Sequence, residues 1–410
     1  WRYDLLAGAP MQVGIFNLLP LLLVGLWAWL QKRVGSWQWG PRIITVPLLL
    51  FSLWAGLRVL DATPRHIFIY LGDLILVWLV YLYVVNWSPR LRPILAVVIV
   101  VQGLVACLQF VLQRDLGLAL LGELPLNPAF SGVTVLQARG EPWLRAYGLT
   151  AHPNLLGALL ALSVLLVLAR SREGWPGRPV LWLPVLALGF GGLFFSFSRT
   201  AWLGAATGLV VWAFLRRRAG AQAARLSYMW LLVPALLLAL AGIFYGDLVV
   251  SRFARLQEPI EAQSISQRLN DARLALQLAA EHPWLGVGLG RNVHAAMRLS
   301  LEADRVHNVF LLAAAELGIP GLILVSWLLL GPLWTYFGLY RRGEYARCAA
   351  GLAPWLLLVA VNQFDVTLWL TGNWQTAILF ALAAANSAQH LYAATEPSQS
   401  PAPMAEAHSA

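Results

Sequence analysis

Long apolar runs constrain this chain more than any other feature. The stretches at 43–57, 66–86 and 93–112 come close to the roughly 20 residues with which a helix crosses ~30 Å of hydrocarbon. A soluble domain would show strand-length runs or amphipathic stripes, and a membrane barrel would show alternating segments of ~10 residues. Neither pattern is present, and helices are the remaining way to satisfy the backbone inside a bilayer. Composition agrees, with 59% of the 410 residues hydrophobic and only 12% charged, too few charges to keep a chain of this size in water. The sequence therefore predicts an all-α integral membrane protein.

Taken in order, the apolar runs place about eleven spans, near 12–30, 43–60, 66–86, 93–112, 152–169, 179–197, 200–215, 228–246, 308–340, 350–364 and 373–391. The loops "QKRVGSWQWGPR", "SPRLRP", "RSREGWPGR", "RRRAGAQAAR" and "RRGEYAR" are rich in arginine and recur at every second position. The positive-inside rule puts them in the cytoplasm and the other loops outside, which absorbs most of the +10 formal charge and leaves no soluble basic domain for nucleic acid. By the same parity the segment from Trp1 to Gln12 is outside, so a twelfth span is expected upstream. The apolar stretch from Pro179 to Leu215 has arginines at both ends, Arg178 and Arg216, and must form a hairpin with "FSFSRTAW" at its tip. Left at mid-bilayer, Arg199 would cost roughly 2.5–3.5 kcal/mol or more.

Residues 1–394 then form one polytopic domain with two long outer loops, 113–151 and 247–306. The second carries "SISQRLNDARLALQLAAEH", a helical pattern bounded by Ser and by His282-Pro283. The tail at 395–410 is rich in Pro, Ser and Ala and is expected to be disordered. Cys107 and Cys348 show no pairing or metal spacing.

The chemistry gathers at the outer level. "RVHNVFLLAAAELGIPGL" places His307 and Asn308 at the mouth of an apolar run too long for one crossing. Gly318 is a natural helix stop and Pro320 a natural start, so a short helix over 308–317 should precede the crossing proper. Arg145, His152, Arg199 and Arg268 fall at the same level. For Arg145 and Arg199 the competing reading is snorkelling to headgroups, for Arg268 a solvated helix face, and for His152 in His-Pro-Asn a turn and helix cap.

No metal or other cofactor is expected, because Glu258/Glu261 and Glu302/Asp304 join no His or Cys at ligand spacing. Asp73 and Asp365 are the acids read as lying within or edging spans, too few for the ion path of a transporter. An arginine-rich site with a histidine, open to water and to the outer leaflet, suits a lipid diphosphate. One Arg about 4 Å from a phosphate oxygen gains on the order of 4 kcal/mol at an effective dielectric near 20. A histidine base taking a proton from a sugar hydroxyl typically contributes about 10²- to 10⁴-fold in rate.

At these residues the sequence resembles the O-antigen ligase and polymerase superfamily of bacterial envelope glycosyltransferases. The likeness rests on His307-Asn308, nine residues, then Gly318-Ile-Pro-Gly321; on "SRTAW" with Arg199; on "RAYGLTAHPNLLG" with Arg145 and His152; and on "SQRLNDARLALQLAAEHPWLGVGLG" with Arg268 and Gly286, Gly288 and Gly290. The resemblance implies a GT-C-type membrane fold and metal-independent, inverting glycan transfer from undecaprenyl diphosphate at the outer face of the bacterial inner membrane. It implies His307 as the base that activates the acceptor, Arg199 and Arg268 on the diphosphate, and Arg145, His152 and Asn308 as substrate contacts. The acceptor is lipid A core in a ligase and growing polysaccharide in a polymerase. After Gly321 the chain reads Leu322-Ile323 where many ligases continue with Thr or Ser, so both readings stay open, with a membrane transporter as the third. The glycine series closes a helix rather than opening one, which favours a loop terminator over a phosphate cradle.

Overall fold

Each apolar run that can be followed folds as a helix at the expected place. The computed structural model describes residue 25 and residues 37–60, 64–138, 140–170, 182–253, 259–301, 303–367, 369 and 372–392. Apart from residue 25, the span expected at 12–30 lies outside these residues, as do the segment before it and the tail. Among them the helices are α1 (Arg42–Val59), α2 (Pro64–Trp87), α3 (Leu91–Leu112), α4 (Pro153–Ala169), α5 (Trp182–Phe195), α6 (Arg199–Arg218), α7 (Ala221–Phe253), α8 (Pro259–Glu281), α9 (Asn292–Ala296), α10 (Val309–Arg341), α11 (Tyr345–Phe364) and α12 (Trp374–Tyr392).

Five of these, α1, α2, α3, α10 and α11, are long and apolar enough to cross a membrane, the signature of a multi-pass membrane protein. Helices α4 and α5 are apolar but shorter, with 17 and 14 residues. The reason for α4 is packing. Every residue in it except Asn154 is buried, and it touches α3, α5, α6, α11 and α12. A helix apolar on all sides belongs at the centre of a bundle. Close approach around it needs small residues, and a Cβ on Gly208 would come within 2.3 Å of Leu165.

The alternation of helix directions is consistent. At one end Arg145 reaches the Ser196 carbonyl and Asn154 reaches Asp365. At the other, Arg170 binds Gln389, Gln389 binds the Val84 carbonyl, and Gln38 pairs with Asn86. The helix ends that carry Arg216, Arg217, Arg218 and Arg341 fall on this second side. The expected hairpin is formed by α5 and α6, with Phe197 left-handed at its tip (φ 46°) and Ser198 capping α6 by accepting from the Ala201 amide at 3.3 Å.

Three local features add detail to these expectations. The loop expected at 113–151 contains a two-stranded antiparallel hairpin, β1 (Val135–Ala138) and β2 (Glu141–Leu144), with Val135 opposite Leu144. Gly140 just before β2, at φ 79°, supplies a left-handed backbone that favours the tight reversal. Helix α7 runs on to Phe253 through a kink at Tyr245, so the first residues of the second outer loop are helical. Helix α8 already includes Pro259, ahead of the serine taken as its beginning.

Candidate active site

Asn308 sets the geometry of the site. Its backbone is extended, and its side-chain Oδ1 accepts from the amides of Phe310 and Leu311, each at 3.0 Å, which caps α10. Its Nδ2 donates to the Gln363 carbonyl at 3.1 Å, tying the start of α10 to the end of α11. His307 is thereby held one residue ahead of the cap. Ten residues further on α10 breaks at Gly318 (φ 69°, ψ −168°), as the Gly-Ile-Pro-Gly signal predicts. Only glycine fits there. A Cβ would stand 2.5 Å from the Trp284 carbonyl oxygen, and the backbone is in the left-handed half of conformational space.

A cavity of about 160 Å³ opens beside this cap, lined among others by Arg268, Ala272, His307, Asn308, Gln363 and Phe364. Arg268 donates to the Phe364 carbonyl at 3.4 Å, across from the imidazole. His307 Nδ1 is buried and has no hydrogen-bond partner among the described residues. Burial lowers the His307 pKa, the Asp365 carboxylate opposes that, and Arg268 adds to it; Asp304 and Asp271 oppose more weakly. The ring is therefore neutral at neutral pH, with a carboxylate near enough to favour the imidazolium once a proton arrives.

Helix α8 clasps the segment in front of His307. The buried Asp271, one turn after Arg268, accepts from the Asp304 amide at 2.9 Å and from Gln267 at 3.1 Å. Burial pushes the Asp271 carboxyl above the ordinary carboxylate range.

Arg145 and His152 stand differently. Arg145 is 3% exposed, so it does not snorkel. It donates Nε to the Ser196 carbonyl at 2.8 Å and Nη2 to Asn154 Oδ1 at 2.7 Å. Asn154 in turn donates to Asp365 Oδ2 at 2.7 Å. His152 caps α4, its Nδ1 accepting from the Asn154 amide at 3.1 Å. Burial first and Arg145 second lower its pKa to about 4 against the pull of Asp365. The side chains of Arg145, His152 and Asn308 all have partners inside the protein.

Arg199, the first residue of α6, lies at the same end of the bundle but is not among the side chains lining the cavity. A Cβ on Gly208 would meet the Ala353 carbonyl and one on Gly204 would meet Val361. Continuing that antiparallel register sets Arg199 alongside the Phe364 end of α11 that closes the cavity.

Two acids complete the picture. Asp365, which the sequence marked only as an acid edging a span, is the carboxylate shared by both histidines. Glu316 was missed, although it sits inside the apolar "AAAELG", so the reading that Asp73 and Asp365 were the acids of the spans needs correction. Its carboxylate accepts from the amides of Gly290 at 2.9 Å and Asn292 at 3.2 Å, while Val287 and Gly288 bond to the Ala315 and Glu316 carbonyls at 2.9 Å. The glycine series thus docks on the break in α10. The acceptor for its amides is a side chain of the protein. Among the described residues no group of three or more His, Cys, Asp or Glu is placed to hold a metal ion.

Residues 184–326 match the family model described as O-Antigen ligase. That segment contains Arg199, Arg268, His307, Asn308 and the broken helix, and over it the resemblance to the O-antigen ligase and polymerase superfamily is borne out. The family implies a glycosyltransferase-like enzyme acting on lipid-linked glycans. No curated protein matches the chain.

Proposed function

We propose that the protein is a metal-independent, inverting glycosyltransferase of the O-antigen ligase type, working at the outer face of the bacterial inner membrane. Its donor is a glycan on undecaprenyl diphosphate and its acceptor a sugar hydroxyl, as on lipid A core. The observation that carries this reading is the His307 imidazole, with a buried nitrogen that has no partner among the described residues, sharing one cavity with the Arg268 guanidinium.

In the reaction, the acceptor oxygen forms a bond to the anomeric carbon from the face opposite the diphosphate. The bond from that carbon to the diphosphate oxygen breaks, and the diphosphate leaves with the electron pair. His307 takes the hydroxyl proton, and Asp365 steadies the resulting imidazolium. Arg268, together with Arg199 from the start of α6, offsets the charge growing on the leaving diphosphate, a task planar guanidinium groups perform in two-point contacts.

Polymerisation by the same chemistry is the second reading, favoured by Leu322-Ile323 after Gly321. The deciding experiment incubates purified protein with undecaprenyl-diphosphate-linked glycan, with and without lipid A core, in EDTA. Glycan on lipid A core supports a ligase, and longer chains on the carrier support a polymerase. If neither forms in EDTA, the proposed function fails, and rescue by Mg²⁺ would overturn the metal-free mechanism.

A further inference from the structure

A second, larger cavity of about 310 Å³ opens where the end of α8 meets residues 286–299. Arg291, His294 and Arg298 line one side, and His282 and Glu281 line the other. Glu281 is its one acid, and that carboxylate accepts from Gln277 at 2.8 Å. Two guanidinium groups that stay charged at any working pH therefore dominate the field inside.

The floor of this cleft is fixed rather than loose. Gly286 donates to the His282 carbonyl and Val287 to the Ala315 carbonyl, both at 2.9 Å, and Glu316 holds Gly290 and Asn292 from beneath. An anion entering it meets cations on a braced segment, which lowers the ordering cost of binding.

Beside the cleft, Trp284 is 68% exposed and Leu301 is 92% exposed. Uncovered apolar side chains next to arginines suit the border between hydrocarbon and headgroups, where tryptophan and cations are favoured. The cleft is also separate from the His307 cavity. The two linings share no residue, and their nearest members on α8, Ala272 and Leu278, are six residues apart, about 9 Å at 1.5 Å per residue. A single phosphate does not bridge that distance.

We propose that this cleft is a second anion site, which takes a phosphate carried on a membrane lipid. Two lipids present that chemistry: the lipid-anchored acceptor, and an anionic phospholipid of the bilayer. The acceptor assignment rests on the transferase reading above, whereas the binding of phosphate does not.

The test titrates the purified full chain in nonionic detergent with dihexanoyl phosphatidic acid, reading binding by the thermal shift it produces. Changing Arg291→Gln and Arg298→Gln together should weaken binding about tenfold, as expected for losing charge-assisted contacts. Arg268→Ala and His307→Ala should bind as the parent does. Should the double variant fail to fold, Arg298→Gln alone, at an exposed position, should weaken binding about threefold. Unchanged affinity in these cleft variants, or loss of binding in Arg268→Ala, overturns the proposal.

Two further arms identify the source. A raised KM for the acceptor with kcat kept, in the cleft variants, assigns the phosphate to the acceptor. Displacement of the probe by phosphatidylglycerol in the parent, with acceptor KM unchanged in the variants, assigns it to the bilayer. If neither occurs, the cleft is not a lipid-phosphate site.

Discussion

The corner built by Arg145 and His152 and the cavity built by Arg268 and His307 use the same two residue types at the same end of the bundle, with opposite results. In the corner, the guanidinium bonds to Ser196 and Asn154, and the imidazole caps α4. In the cavity, the imidazole keeps a buried nitrogen without a hydrogen-bond partner among the described residues, and the guanidinium lines open space. Polar groups whose bonds are satisfied hold a structure together, and a buried nitrogen held in place without a partner is available for chemistry. Asp365 joins the two regions, fixed by Asn154 on one side and acting on His307 from the other.

Substitutions can break this contrast. The largest effect is expected from His307→Ala, with transfer falling about 10²- to 10⁴-fold while the thermal midpoint holds. Next, Arg268→Ala should lower kcat about 10²- to 10³-fold. Its counterpart Arg145→Ala should instead destabilise the fold by about 2–4 kcal/mol, because it strips a buried network of its donor. Chemical denaturation beside a transfer assay separates these two, and equal behaviour would erase the distinction drawn here.

A pH profile sharpens it further. The base must be neutral to act, so kcat/KM should fall as pH drops through the His307 pKa, and burial puts that fall below the ordinary value near 6.5. Asp365 raises that pKa, so Asp365→Asn should move the acid limb to still lower pH and reduce kcat. An acid limb that stays put would remove Asp365 from its role. The smallest effect belongs to His152→Asn, since asparagine caps a helix as well. Activity should stay within about twofold. The folded pKa of His152, about 4, lies below its unfolded value, so the unfolded chain binds more protons between the two. Stability in the parent should drop as pH falls from about 6.5 towards 4, and this slope should flatten in His152→Asn.

What could be read from the sequence alone follows from how local each signal is. The α5–α6 hairpin was legible because arginines flank one apolar stretch and another interrupts it. The break in α10 was legible because Gly-Ile-Pro-Gly is a stop and a start within four residues. The cap at His152 was visible in His-Pro-Asn, but not that Arg145 would be buried against Asn154 and Ser196. Asp365 could not be placed, because its partner Asn154 lies 211 residues away in the chain. Glu316 was missed because the glycine loop that docks on it lies 26 residues back in the chain. The spans at α4 and α5 were legible as helices, yet the burial of α4 on every side depends on neighbours that no hydropathy window contains.

The contrast between the two histidines is tested most directly by one paired measurement: the rate of glycan transfer from undecaprenyl diphosphate by purified His307→Gln and His152→Asn proteins at neutral pH. Near-complete loss in the first with near-parental rate in the second is the predicted result. A His307→Gln protein that still transfers at the parental rate would contradict it.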